Sequence, residues 1–119
     1  MGKSYKDLIV WQKSYELCLL IYATTKSYPK YEQYGLTNQL RRCSVSIPSN
    51  IAEGYNRRHR GEYLQFLSIA YGSVAELETQ MLLSRDLHYC TQEKYDAAQK
   101  LFIEVSKMLR ALMESLKNG

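Results

Sequence analysis

Apolar residues recur every three or four positions along most of this chain, and the rhythm is cleanest near its end. Tyr95, Ala98, Phe102, Val105, Leu109, Leu112 and Leu116 alternate steps of three and four, the seam of a heptad helix. The spacing predicts a helix over about 92–117, with Thr91 as its cap and Glu93 favourable in its first turn. A second run, Leu8, Trp11, Tyr15, Cys18, Leu19 and Tyr22, predicts a helix over about 8–27 with that stripe toward the core. It stops before Pro29, because a proline pushes the preceding residue out of helical geometry. Leu36, Leu40, Cys43, Ser44, Ile47 and Ile51 predict a helix over about 37–56, capped by Thr37. Pro48 lies inside this stripe, but the rhythm continues across it, so a kink near Ser44 to Pro48 is expected rather than two helices. Tyr63, Phe66, Leu67, Ala70, Val74, Leu77 and Met81 predict the remaining helix, over about 61–86. Short connections between long helices make sequential neighbours antiparallel. The expected fold is therefore all-α: one up-down-up-down four-helix bundle domain spanning residues 1–119.

The pattern holds more apolar surface than one bundle needs. Val10, Leu17 and Ile21 form another stripe on the first helix, turned roughly 90° from the line through Trp11 and Tyr22. Ile69 and Leu83 stand off the core face of the third helix, near Gly72, and a glycine inside a helix is often kept where another element approaches closely. Scattered surface hydrophobes would explain these residues individually. Their helical spacing favours a buried interface instead, and a symmetric homo-oligomer is the simplest partner. The candidate interface is Val10, Leu17, Ile21, Ile69 and Gly72.

Composition narrows the class. Hydrophobic residues make up 45% of the 119 and charged residues 24%, with only two prolines and six glycines, which argues against disorder and against a turn-rich β fold. Cys18, Cys43 and Cys90 are odd in number and far apart, so reduced thiols and a cytoplasmic location are expected. No apolar run approaches the ~18 residues of a membrane span, and the stretch from Met1 to Asp7 lacks the apolar region of a secretion signal.

The net charge of +4 permits an acidic partner without requiring one. Its densest cluster is Arg57, Arg58, His59 and Arg60, at the corner between the second and third helices. Arginines at such a corner suit phosphate contact; an ordinary solvated loop is the plainer reading. Arg42 belongs to a polar stripe of Gln39, Arg42, Ser46, Asn50, Glu53 and Arg57. That stripe reads either as a solvated face with a Glu53–Arg57 pair or as a hydrogen-bonding wall at an interface or groove. Arg42, Arg57, Arg58, His59 and Arg60 are the nucleic-acid-binding candidates. Among the eleven tyrosines, Tyr28, Tyr31 and Tyr34 would stack on bases, meet a protein, or pack over the bundle end.

Catalytic patterns are missing. A di-iron bundle needs Glu-x-x-His pairs, but Asn56 and Arg85 stand three before His59 and His88. His88 and Cys90 offer two zinc ligands where about four must converge. There is no Walker loop, Gly-rich dinucleotide turn or Gly-x-Ser-x-Gly. No enzyme activity, metal, cofactor or small-molecule substrate is expected.

One segment carries a specific resemblance. Residues Gln39 to Gly54, QLRRCSVSIPSNIAEG, resemble the signature of the bacterial 23S rRNA intervening-sequence proteins, also described as four-helix bundle proteins. Leu8-Ile9-Val10-Trp11-Gln12-Lys13, Tyr34-Gly35-Leu36-Thr37 and the stretch from Phe66 to Gln80 are similar to other parts of that family, so the likeness covers nearly the whole chain. Cys43 stands where alanine is usual. The resemblance implies an antiparallel bundle assembled into a ring, a pentamer, and it brings no catalytic residues. Some members are encoded within insertions in large-subunit ribosomal RNA genes. A distantly similar bundle is the accessory protein of diversity-generating retroelements, which binds nucleic acid and a reverse transcriptase. The expected function is a non-catalytic, oligomeric RNA-binding module. Its rival is a protein-interaction scaffold or accessory factor, for example to a reverse transcriptase.

Overall fold

In the computed structural model, which describes residues 3–118, each periodic segment is a helix: α1 (Ile9–Thr25), α2 (Leu36–Tyr55), α3 (Arg60–Asp86) and α4 (Gln92–Asn118). Single 3-10 turns at Tyr5–Asp7 and Lys30–Glu32 precede α1 and α2. α1 packs on α2 and α4, α3 packs on α2 and α4, and the backbones of the diagonal pairs stay apart. This closed ring of sequential antiparallel neighbours is a four-helix bundle measuring 45 × 25 × 22 Å. Its long axis matches the roughly 40 Å expected of a 27-residue helix. No helix among the described residues is long and apolar enough to cross a membrane.

Three helices bury the stripes their spacing indicates. α4 turns inward Tyr95, Ala98, Phe102, Val105 and Leu109, joined by Leu101. α3 buries Leu67, Ala70, Val74, Leu77 and Met81, while Tyr63 and Phe66 stay half-exposed. α2 buries Leu36, Leu40, Cys43, Ser44, Ile47 and Ile51, and it runs as one helix with Pro48 inside it.

α1 reverses the expectation. Val10, Leu17 and Ile21, assigned above to an oligomer interface, are 6%, 0% and 0% exposed within the single protomer. They belong to the core, and the interface assignment is corrected for these three. Their stripe is completed by Ser14 and Thr24, in heptad steps, with Thr25 also buried. Ser14 and Thr25 are tolerated there because their hydroxyls bond back to their own helix: Ser14 Oγ donates to the Trp11 carbonyl (2.9 Å) and Thr25 Oγ1 to that of Ile21 (2.8 Å). The stripe read as core is split: Leu8 and Trp11 are half-buried against the core and Cys18 half-buried against Ser44 of α2, while its other members face outward. Tyr15 and Leu19 are 50% and 58% exposed, and Tyr22 is exposed beside them.

Two local details also differ. Thr37 is buried and does not cap α2; the Glu32 carboxylate does, with Oε1 accepting the Leu36 N–H at 3.0 Å. Thr91 does cap α4, its Oγ1 accepting the Lys94 N–H at 3.2 Å. Gly72 meets no close neighbour: a Cβ built there would find nothing within 4 Å. The glycine that close packing requires is Gly54, where a Cβ would lie 2.8 Å from Phe66 Cβ and 3.0 Å from the Tyr63 ring. It lets α2 and α3 converge just before the corner that joins them.

Candidate nucleic-acid interface

The polar stripe of α2 lies beside α3, and the two helices share a wall of small polar side chains. Ser46 Oγ and Ser73 Oγ are 2.9 Å apart. Asn50 Nδ2 donates to Ser46 at both its carbonyl (2.7 Å) and its hydroxyl (3.0 Å). The Cys43 thiol donates to the Ser73 carbonyl at 3.1 Å. Burial pushes this thiol up to about 12, and the Glu76 carboxylate beside it adds to the rise. A thiol held protonated in this way is a packing group rather than a nucleophile.

Next to this wall the helices part to form an open groove of about 410 Å³, with Gln39 and Arg42 on one side and Glu76 and Gln80 on the other. The side chain of Gln80 is largely enclosed, and its Oε1 is shut off from solvent without a donor. The α3 residues of this groove are the ones sequence reading missed. Ser73, Glu76 and Gln80 repeat in steps of three and four, a polar flank matching that of α2, and this spacing is the signal that could have found them.

The arginine corner forms the other part of the surface. Residues 56–59 link α2 to α3, and Arg57, Arg58, His59 and Arg60 are all exposed. Arg57 is already engaged: its Nη2 lies 3.1 Å from Glu53 Oε1, and its guanidinium sits 4.8 Å from the Phe66 ring centre. Among the described residues, Arg58, His59, Arg60 and Arg42 enter no ion pair. His59 is the N-cap of α3 but makes no side-chain capping bond, while Arg60 opens the helix. Cationic side chains at a helix N-terminus oppose the helix dipole, and the free N–H groups there suit an anion. Glu62 in the first turn offsets part of this charge.

The structure thus divides the five candidate residues. Arg57, Arg58, His59 and Arg60 share the corner. Arg42 sits 15 positions before Arg57 on the same stripe, about 22 Å away by helical rise. Of the interface candidates, Ile69 is 48% exposed and Gly72 is exposed beside it on the outer face of α3. Tyr28 is buried at the bundle end, whereas Tyr31 and Tyr34 are exposed. Tyr89 reaches over that end to donate to Glu32 Oε2 at 2.9 Å. No group of three or more His, Cys, Asp or Glu able to hold a metal ion occurs among the described residues.

A four-helix bundle with a polar α2–α3 face and a basic corner defines the class. Within it, residues 6–111 match the model of the 23S rRNA-intervening sequence proteins, and the chain belongs to that family. It is also similar to a crystal structure of a protein of unknown function from the S23 ribosomal protein family of Bacteroides thetaiotaomicron. The TM-score is 0.79 at 25% identity, covering 88% of this chain and 98% of that one. No curated protein matches the chain.

Proposed function

We propose that this protein is a non-catalytic RNA-binding bundle that works as a homo-oligomer, with the α2–α3 corner as its phosphate contact. The observation that carries the reading is the N-terminus of α3. It lacks a side-chain cap, and Arg58, His59 and Arg60 surround it without an ion-pair partner among the described residues. The local charge disfavours the helix end, and a bound phosphate would relieve it. Arg57 contributes less, being held by Glu53 and Phe66.

Exposed apolar side chains support the homo-oligomer. The outer row of α1, where Tyr15 stacks on the half-buried Trp11 at 5.1 Å with Leu19 and Tyr22 beyond, and Ile69 on the opposite side of the bundle are two apolar patches that neighbouring copies in a ring would cover. In a ring the corner would be repeated, multiplying a modest charge into several linked phosphate contacts. The pentamer and the cytoplasmic location belong to this proposal.

Exchange of Arg58 and Arg60 for glutamine tests the corner. RNA binding should weaken across sequences and its salt dependence flatten, by about 0.7 to 0.9 log units of slope per lost contact, with helicity and assembly unchanged. Equal affinity and slope in the double mutant would make the corner a solvated loop. A wild-type protein that binds no RNA at low salt would give way to the scaffold reading.

A further inference from the structure

We infer that the open pocket where α1 ends and α2 begins binds a phosphomonoester, either the terminal phosphate of an RNA or the phosphate of a small molecule. The site lies at the end of α2 opposite the basic corner. It goes beyond the RNA-binding reading, since its first test needs no RNA.

Local structure gathers cations at this end. α1 closes on Lys26, and Pro29 opens the 3-10 turn Lys30–Glu32. Side chains three apart in such a turn fall on one side, which places Gln33 beside Lys30. Arg41 reaches the same place from the second turn of α2. Lys26, Lys30, Gln33 and Arg41 line, with Thr25 and Thr37, an open pocket of about 280 Å³.

Arg41 is half-buried and held in place. Its Nε donates to Thr25 Oγ1 at 2.9 Å, and its guanidinium lies 4.9 Å from the centre of the Tyr22 ring. Thr25 directs its own proton to the Ile21 carbonyl, so its oxygen is fixed as an acceptor. Neutral groups thus position a guanidinium that has no carboxylate partner among the described residues. With Nε occupied, the two Nη groups remain, and they form the fork that pairs with phosphate oxygens.

The charge of the pocket is unbalanced. Lys26 and Lys30 also enter no ion pair among the described residues, and no Asp or Glu lines the pocket. The neighbouring Glu32 is engaged by the Leu36 N–H and the Tyr89 hydroxyl. The C-terminus of α1 offsets only about half a charge. Thr37, 8% exposed, adds a hydroxyl that has no hydrogen bond among the described residues. The unpaired oxygens shut off from solvent are those of Thr24 and Gln80; that of Thr37 is not among them, so a ligand can reach it. These donors exceed what the two oxygens of a carboxylate accept. A phosphomonoester brings a charge of about −1.5 to −2 at pH 7 and three strong acceptor oxygens. A phosphodiester inside a chain has one charge and fewer free oxygens, so the terminal phosphate is the better match.

Nuclear magnetic resonance of the isotope-labelled chain, titrated with inorganic phosphate and with chloride at equal ionic strength, tests the site. The Arg41 Nε–H and Gln33 side-chain amide signals should move and saturate with a Kd of about 1 mM or below, and chloride should leave them in place. Lys26→Gln/Lys30→Gln, at two exposed positions, should weaken phosphate binding at least about tenfold and keep helicity. Signals that stay still, follow chloride equally, or fail to saturate by about 10 mM phosphate would overturn the site. Two RNAs of one sequence, with a phosphate or a hydroxyl at the 5′ end, then identify the source. Binding of the phosphorylated RNA that is tighter by at least about fivefold, a preference removed by Lys26→Gln/Lys30→Gln and kept by Arg58→Gln/Arg60→Gln, assigns the RNA terminus. Equal binding of the two RNAs beside a saturable phosphate shift assigns a small phosphorylated molecule. Phosphate saturation without any RNA binding at low salt leaves this site standing and removes the corner. A lower sedimenting mass of Lys26→Gln/Lys30→Gln would show the pocket to be a contact between copies, which overturns the inference.

Discussion

α1 and α4 lie side by side, joined at their surfaces by Lys13 and Glu104 at 3.7 Å. Both repeat apolar residues at helical spacing, but they distribute them differently. α4 concentrates its large residues on the buried side, from Tyr95 to Leu109, and leaves Lys100, Lys107 and Arg110 to solvent. α1 is apolar on two sides. It buries Leu17 and Ile21 alongside Ser14 and Thr24, and leaves Tyr15, Leu19 and Tyr22 exposed. The difference shows that total hydrophobicity along a stripe does not decide which side faces the core. Small residues let helices approach closely, and Ser14 and Thr25 satisfy their hydroxyls within their own helix, although Thr24 Oγ1 finds no partner among the described residues. An aromatic row can then remain outside, where its polar tips reach water and a partner can cover its rings.

The comparison fails or holds most clearly on Leu17 and Leu19, two neighbours on α1. Leu17→Glu places an unpaired charge in the core and should cost more than about 4 kcal/mol, read as loss of cooperative unfolding by circular dichroism. Leu19→Glu should change stability by no more than about 0.5 kcal/mol and should reduce the sedimenting mass if the outer row joins copies. The reverse result would return the aromatic stripe to the core. On α4, Leu109→Ala should cost about 2–5 kcal/mol as a buried truncation, seen as a lower denaturant midpoint. An unchanged midpoint would remove the contrast between the helices.

A smaller effect is expected at Tyr28, just beyond α1. Its phenol donates toward Met81 Sδ at 3.9 Å, and burial pushes its pKa from near 10 to about 12. The folded state therefore holds this proton more tightly than the unfolded chain. The associated stability is complete below about pH 10 and is lost as the pH rises through about 12, a change of roughly 2–3 kcal/mol. Tyr28→Phe should move the alkaline unfolding midpoint upward while changing stability at neutral pH by only about 1 kcal/mol. The same midpoint in both proteins would place Tyr28 with the exposed Tyr22.

Four helices, their order and their approximate ends follow from the sequence, because heptad spacing, Pro29 and the Thr91 cap act over a few residues. The core stripes of α2 and α4 were legible because each has one side distinctly more apolar than the rest; that of α3 followed from its spacing although Ile69, Leu82 and Leu83 leave its outer side apolar as well. The tertiary structure decided the orientation of α1, where two apolar stripes compete and only packing against α2 and α4 chooses between them. It also decided which glycine serves close approach, since Gly54 and Gly72 look alike in sequence and differ only in what stands opposite. The candidate site divides in the same way. The basic corner is contiguous in the chain and visible by reading it. The groove needs Arg42 from one helix and Glu76 and Gln80 from another, so neither half has meaning until α2 and α3 pack together.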